Sequence, residues 1–552
     1  MADKKRRMRG WEMRKADRVP KFLELWSPRA FLMVFLTLLV VSAWVTACSW
    51  WGLVLLVPVA LLFLMGLGDM LQTRHSVLRN FPLLGRMRYL LESLRPELRQ
   101  YFVESDHEEN PFSRDKRSVI YQRAKDVLDT VAFGTRQDVC APGYEWIAPS
   151  LCPTHPQPDT ARVLVGARHS QQPYSASLFN ISAMSYGSLS KNAIEALNAG
   201  AASGGFYHNT GEGGLSPYHL GPGGDLVWQV GTGYFGCRTL EGSFDADQFR
   251  KSAAHEQVKM IELKLSQGAK PAHGGILPGK KVSLEVAQTR GVEVGKTVIS
   301  PPAHSAFSSP LGLLEFLSQL RELSGGKPVG FKLCVGQPTE LFSILKAMRE
   351  SKLFPDFITV DGGEGGTGAA PTEFSDSVGM PLADGLNLVH NALIGAGIRD
   401  ELHLVSAGKI ATGFHLLKHL ALGADLCNSA RGMMFALGCI QALKCNTNKC
   451  PVGVATQEPK LVKGLVVDDK ATRVANFHHK TIASVLELCG AAGLDSPVDL
   501  RARHLFRRVS PEKVRSLDLI YPQLDPGAFL QGTAPSELQS AWDRARTDRF
   551  GA

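Results

Sequence analysis

VGFKLCVGQPTELFSILKAMRESKLFPDFITVDGGEGGTG, residues 329–368, reads in succession as strand, helix, strand and glycine-rich loop. Its apolar runs 329–335 and 357–360 are strand-like, and 339–350 has the three-to-four-residue spacing of an amphipathic helix. The alternation continues with a helix over 382–393, a strand over 402–406, a helix over 412–422, and a fourth unit made of 425–429 and 433–437. Upstream, 178–183 and 260–265 have the same strand character. Short apolar runs alternating with amphipathic stretches indicate parallel β/α units. The fold expected is an α/β chain with a (β/α)8 TIM barrel, its chemistry on the loops that follow the strands. A doubly wound sheet is the alternative. GTGYFG (231–236) fits GxGxxG and follows the apolar LVWQV. No helical pattern opens at its last glycine and no acidic residue closes a βαβ unit, so it reads as a glycine-rich turn.

Outward from the barrel, the chain has 552 residues, 44% hydrophobic and 20% charged, with 54 Gly and 31 Pro. That composition excludes intrinsic disorder, a collagen-like chain and a disulfide-stapled miniprotein. The net charge of +9 is concentrated in residues 1–29, which hold ten basic and four acidic side chains. The body is nearly neutral, so nucleic acid is not an expected partner. Residues 30–68 contain no charged side chain, enough for two spans. We read 30–47 and 51–68 as an antiparallel transmembrane hairpin turning at Ser49-Trp50-Trp51-Gly52. Arg74, Arg79, Arg86 and Arg88 follow it, so both flanks are positive and belong in the cytoplasm. The stretch is too long for a cleaved signal peptide. The ten cysteines are scattered except for one group, and are expected as thiols.

That group is Cys439-x5-Cys445-x4-Cys450-Pro451. The spacing suits an iron–sulfur cluster on one loop, a [3Fe-4S] cluster given three ligands; buried free thiols and zinc remain alternatives. Glycine loops after strands (361–370, 407–413, 423–432) suit a phosphorylated cofactor such as FMN, or are ordinary turns. Lys332 lies inside an apolar strand, where a cation beside a flavin would favour the reduced ring. Lys264, Lys270 and Arg290 bring cations to strand ends and loops, with Gln267 beside them, as suits a dianionic substrate. Lys280 and Lys281 read as solvated surface charges. Glu212 sits among glycines as a general acid/base or as a turn cap, and His273 and His304 as structural histidines.

Taken together, ISAMSYGSLS (181–190), NTGEGG (209–214), ELKLSQGAKPAHGGILPGKKV (262–282), ISPPAH (299–304), EGGTGAAP (364–371) and CIQALKCNTNKCPVGVATQ (439–457) resemble the FMN-binding synthase domain of glutamate synthase. The chain looks like the stand-alone members of that family. The resemblance implies a barrel holding FMN beside a [3Fe-4S] cluster ligated by Cys439, Cys445 and Cys450. It implies flavin contacts at Met184, Ser185, Gln229, Lys332, Gly365, Gly366, Gly408 and Arg431. Lys264, Gln267, Lys270 and Arg290 match the segment that holds 2-oxoglutarate, and Glu212 and Lys270 stand as catalytic candidates. The implied reaction is reductive amination of 2-oxoglutarate to glutamate, with hydride delivered from the flavin. Ala272-His273 replaces a usual Gly-Glu, Ile276 a usual Gln, and Gly363-Glu364 a His-Asp pair.

The resulting plan is a basic cytoplasmic tail (1–29), a membrane hairpin (30–71), a helical connector (72–150), an FMN-binding barrel with its iron–sulfur loop (151–457) and a helical extension (458–552). Expected partners are 2-oxoglutarate or a similar dicarboxylate, an electron donor such as ferredoxin or a reductase, a separate glutaminase and membrane lipid. The expected location is the inner membrane, two-pass, with the catalytic domain in the cytoplasm. Alternatives are a related enzyme acting on another amine or keto acid (N-methylglutamate synthase-like), a quinone-linked dehydrogenase, and a non-catalytic redox sensor or membrane scaffold.

Overall fold

Helices that are apolar on every side require an apolar surround, and the chain opens with two of them. α1 (Pro28–Cys48) and α2 (Leu53–Leu71) are joined by a single 3-10 turn, Trp50–Gly52. Phe31 packs between them, stacked on Phe63 at 6.0 Å and set against Gly66, where a side chain would collide with its ring. Both helices are long and apolar enough to cross a membrane. α3 (Leu84–Leu98) follows after a short helix, Ser76–Asn80. The computed structural model describes residues 26–108 and 110–551, and the chain splits into two compact units at residue 108. All but the last four residues of the basic tail lie outside the described residues.

In the second unit the apolar runs close into a barrel. β1 (Phe179–Ile181), β2 (His208–Asn209), β3 (Leu226–Val230), β4 (Val258–Lys264), β5 (Val329–Leu333), β6 (Phe357–Asp361), β7 (His403–Ala407) and β8 (Leu426–Ser429) pair in chain order, and β8 returns to β1. All eight pairings are parallel. This is the (β/α)8 architecture expected from the sequence. Outer helices begin on capping hydroxyls: Ser190 Oγ accepts from Ala193 N at the start of α4 (Lys191–Gly204), and Thr412 Oγ1 from His415 N at the start of α5 (Gly413–Ala421). Such caps contribute roughly 0.5–2 kcal/mol each. An antiparallel hairpin, Arg162–Val165 with Tyr174–Ser177, closes the amino end of the barrel. Its Val165, Tyr174 and Ala176 form one buried cluster with Val227, Met260, Phe357, Val405 and Leu426 from the strands.

Two boundaries differ from expectation. β8 leads into only a short helix, α6 (Arg431–Ala436); the eighth outer helix is α7 (Val467–Ala491), which packs between α4 and α5 and onto β1. The barrel therefore runs past residue 457, because the cysteine loop is inserted between the eighth strand and its helix. The C-terminal extension is not all helical either. Leu505–Ser510 and Lys513–Ser516 form a hairpin, and Glu145–Ile147 joins it as a third strand. Glu145 pairs within the sheet with Arg507 (2.7 Å) and fastens the sheet to the barrel through Lys418 on α5 (2.8 Å).

Candidate active site

Side chains at i, i+2 and i+4 of a strand share one face. In β4 that rule turns Met260, Glu262 and Lys264 into the barrel at rising heights, with Lys264 at the rim. The loops after the strands enclose a cavity of about 1170 Å3 above them. Met184, Ser185, Glu212, Gln229, Lys264, Gln267, Lys270, Gly365, Gly366, Arg431, Cys439, Cys445 and Cys450 all line it. Lys332 and Gly408 line a small adjoining recess that shares Gly365, Gly366 and Arg431 with it. Arg290 is the exception: it lies behind the wall, buried, its Nη2 donating to Ser185 Oγ (3.3 Å) and the Tyr186 carbonyl (3.1 Å).

Charges in the cavity are arranged unequally. Lys264 Nζ pairs with Glu212 Oε1 at 3.1 Å and donates to Gln267 Oε1 at 2.6 Å. Lys270 Nζ donates to a neutral acceptor, the Ala369 carbonyl, at 3.1 Å. Burial lowers the Lys270 ammonium to about 8, against the pull of Glu212. Burial also opposes ionisation of Glu212, but Lys264, Lys270 and Arg290 together outweigh it and hold the carboxyl below the usual range. Lys332 Nζ pairs with Asp361 Oδ2 at 3.0 Å. Although burial pulls the other way, Asp361 and Glu262 keep it above the usual lysine range. Arg431, lowered to about 10 by burial, lies over the Phe112 ring at 4.9 Å and donates to the Glu364 carbonyl.

The glycine-rich turn after β3 has a definite function in packing. Gly231 and Gly275 flank the Glu212 carboxylate so closely that a Cβ on Gly275 would sit on Oε1, and one on Gly231 would lie 2.8 Å from the Glu212 Cβ. No helix follows this turn until Ala246. Gly275→Ala is therefore expected to push the carboxylate off Lys264 and to destabilise the fold by about 1–3 kcal/mol through overpacking. In a Glu212→Ala background the same change should cost clearly less, the remaining tight contact being Ser300 Oγ at 3.0 Å. Chemical denaturation of the four variants measures the coupling, and equal costs in both backgrounds would remove the clash from the explanation.

Several residues in or beside the cavity escaped the sequence reading. Glu262, 1% exposed, accepts hydrogen bonds from Asn209 Nδ2 (2.8 Å), Gln229 Nε2 (2.6 Å) and Thr359 Oγ1 (2.6 Å). Its signal was available: a carboxylate on the same strand face as Met260 and Lys264. Phe112 comes from the segment before the barrel and no local pattern marks it. Lys281 corrects an expectation, since it is not solvated but 2% exposed, donating to the Ser188 carbonyl at 2.8 Å. His304 is structural, joined to Tyr234 Oη and to the Lys264 carbonyl, and so braces the strand end that carries Lys264. All ten cysteines are free, and among the described residues no three histidine, cysteine or carboxylate side chains gather tightly enough to hold a single metal ion.

Comparison with known proteins locates this arrangement. A family described as the conserved region in glutamate synthase matches residues 157–495. The glutamate synthase large subunit-like protein YerD of Bacillus subtilis (strain 168) is 39% identical over 512 residues, 85% of this chain and 97% of that one. The archaeal glutamate synthase [NADPH] of Methanocaldococcus jannaschii is 36% identical over 323 residues, 58% of this chain and 60% of its own length. Among solved structures, mandelate oxidase with (S)-2-phenylpropionate aligns over 72% of this chain and 98% of its own at 14% identity and a TM-score of 0.40. With a family match that takes in every strand of the barrel, and a relative matched almost end to end, the chain belongs to the glutamate synthase family of oxidoreductases.

Proposed function

We propose that this chain is a membrane-anchored glutamate synthase-type enzyme that uses FMN and a [3Fe-4S] cluster to aminate 2-oxoglutarate reductively, with ammonia supplied from outside the chain. One observation carries the reading: a single barrel mouth unites the cation group, the glycine loops and the three thiols. The cavity exceeds ordinary ligand pockets of roughly 300–1,000 Å3, which leaves room for cofactor and substrate side by side. FMN would occupy the cavity where it opens into the recess, at which a Cβ on Gly366 would lie 2.7 Å from Arg431 Nε and Lys332 brings a buried cation. Met184, Ser185, Gln229, Gly365 and Gly408 would complete its cradle. A cluster fits the thiol wall, because ligands on separate irons stand farther apart than ligands of one ion. When bound, FMN would supply the hydride that reduces the imine carbon, and the cluster the electrons that recharge it.

The chain's own groups would do the remaining work. Lys270, whose ammonium donates to a neutral carbonyl, would take one substrate carboxylate. Gln267 and Lys264 would orient the other end, with Arg290 adding charge from behind Ser185. Glu212, held ionised, would attract and orient an incoming ammonium ion by its charge. Electrons would come from a partner such as ferredoxin or a reductase, and ammonia from a separate glutaminase. α1 and α2 would place the chain in the inner membrane, two-pass, with the barrel in the cytoplasm. The five-segment domain plan remains our proposal, with the barrel extended through α7. Ile276, which lines the cavity, favours a second reading, an N-alkylated amine in place of ammonia.

The test is anaerobic reoxidation of the photoreduced full chain in detergent by 2-oxoglutarate and ammonium, with glutamate as product. Reoxidation by methylamine instead would select the second reading, and by neither would reject both. Lys270→Ala should weaken 2-oxoglutarate by roughly 2–5 kcal/mol. The sign of the pH effect follows from the lowered ammonium. A bound carboxylate raises its pKa, so affinity is flat below about pH 8 and falls above it. In Lys270→Ala that decline should vanish; titrations at several pH values compare the two.

A further inference from the structure

We propose that α3 lies in the headgroup layer of an anionic bilayer, its apolar stripe inserted and its arginines at the level of the lipid phosphates. The inference rests on reading α1 and α2 as membrane spans. Within α3, Met87, Leu90, Leu91, Leu94 and Leu98 recur at three- and four-residue intervals, and so fall on one stripe of the helix. All five are exposed, from 44% at Leu94 to 57% at Met87. The stripe continues through Tyr101 and Phe102 in the π-turn Arg99–Val103. Arg88, Arg95 and Arg99 sit seven and four residues apart, so they share one border of that stripe; Arg88 also pairs with Glu92 (3.2 Å) and Arg99 with Glu108 (2.7 Å), exposed pairs worth little that lipid phosphates can replace. Long arginine stems there can lie along the apolar face while the guanidinium reaches the headgroups.

What covers the stripe is indicated by how α3 is attached. Asp69, at the end of α2, is 1% exposed and receives the Arg86 guanidinium through Nε (2.9 Å) and Nη2 (2.7 Å). The same carboxylate accepts from Leu83 N at 3.1 Å. At the start of α1, Trp26 Nε1 donates to the Pro82 carbonyl at 2.8 Å. The entry to the first span, the exit from the second and the root of α3 are thus tied into one collar at one end of the hairpin. A helix rooted at that level, with an apolar face and a basic border, matches a bilayer surface. Each arginine close to an anionic surface strengthens attachment about fivefold.

The experiment is hydrogen–deuterium exchange of the full chain in nanodiscs of phosphatidylcholine alone or mixed with phosphatidylglycerol. Residues 84–103 should exchange at least tenfold more slowly in the anionic discs. The triple variant Arg88→Gln, Arg95→Gln, Arg99→Gln should lose that difference while the two spans stay protected. Equal exchange of 84–103 in both discs, with the spans protected, overturns the lipid assignment alone. Spans that exchange freely overturn the hairpin and with it this proposal. Protection that instead grows with protein concentration in detergent assigns the stripe to a second copy of the chain and also overturns it.

Discussion

Serine in place of Cys445 is expected to abolish the iron and acid-labile sulfide of the purified chain while leaving its flavin content unchanged. Cys439, Cys445 and Cys450 line the cavity, whereas the Lys332 recess is lined by other residues. Protein contacts brace the loop that carries them. Asn448 takes a left-handed backbone (φ 63°), accepts from Gln457 N at 2.7 Å and donates to the Lys280 carbonyl at 3.2 Å. Removing one sulfur should therefore cost little stability and all of the cluster. Lys281 supplies an independent reason to expect an anionic group here. Its ammonium is buried on a neutral carbonyl, and no carboxylate pairs with it among the described residues. The charged or ionisable groups that face it are Cys445, Cys450 and Arg290. A buried cation left without a counter-charge costs several kcal/mol, and an iron–sulfur cluster with three thiolates is an anion of the required kind. Iron and sulfide assays with electron paramagnetic resonance read the result; an unchanged iron content in Cys445→Ser would place the cluster ligands elsewhere.

How much of this was visible in the sequence depended on whether the cause was local. The strands β5, β6, β7 and β8 are apolar runs flanked by turn residues, and each lies within two residues of its expected limits. β2 is two residues long, His208–Asn209, and offers no run to find. The eighth helix was missed as a barrel element because a cysteine loop separates it from its strand. The candidate residues, Arg290 apart, come together because a parallel barrel gathers everything that follows a strand at one mouth. The errors concern charge. Gly279-Lys280-Lys281 looks like a solvated turn, and only the tertiary fold shows that the second lysine points inward. Arg290 belongs to the right group of cations, yet Ser185 stands between it and the cavity. Glu262 was overlooked although strand periodicity placed it.

Glu262→Ala should destabilise the barrel unit by about 3–5 kcal/mol, the cost of opening a buried charged network. Three donors on three different strands converge on this carboxylate: Asn209 on β2, Gln229 on β3 and Thr359 on β6. It also contributes to holding Lys332 charged. Without it, two amides and a hydroxyl lose their acceptor inside the barrel, where water cannot easily replace it. Gln229 lines the cavity, so the loss reaches the proposed cofactor site as well as the core. Glu262→Gln separates the two contributions, since it keeps the shape and one acceptor oxygen but removes the charge and turns an amide toward the Thr359 hydroxyl. Its loss should be intermediate. Urea denaturation of the three proteins gives the stabilities, and flavin titration of the refolded variants gives the coupling to the site. A Glu262→Ala protein as stable as the parent would mean that the polar interior of the barrel is hydrated rather than held by this residue.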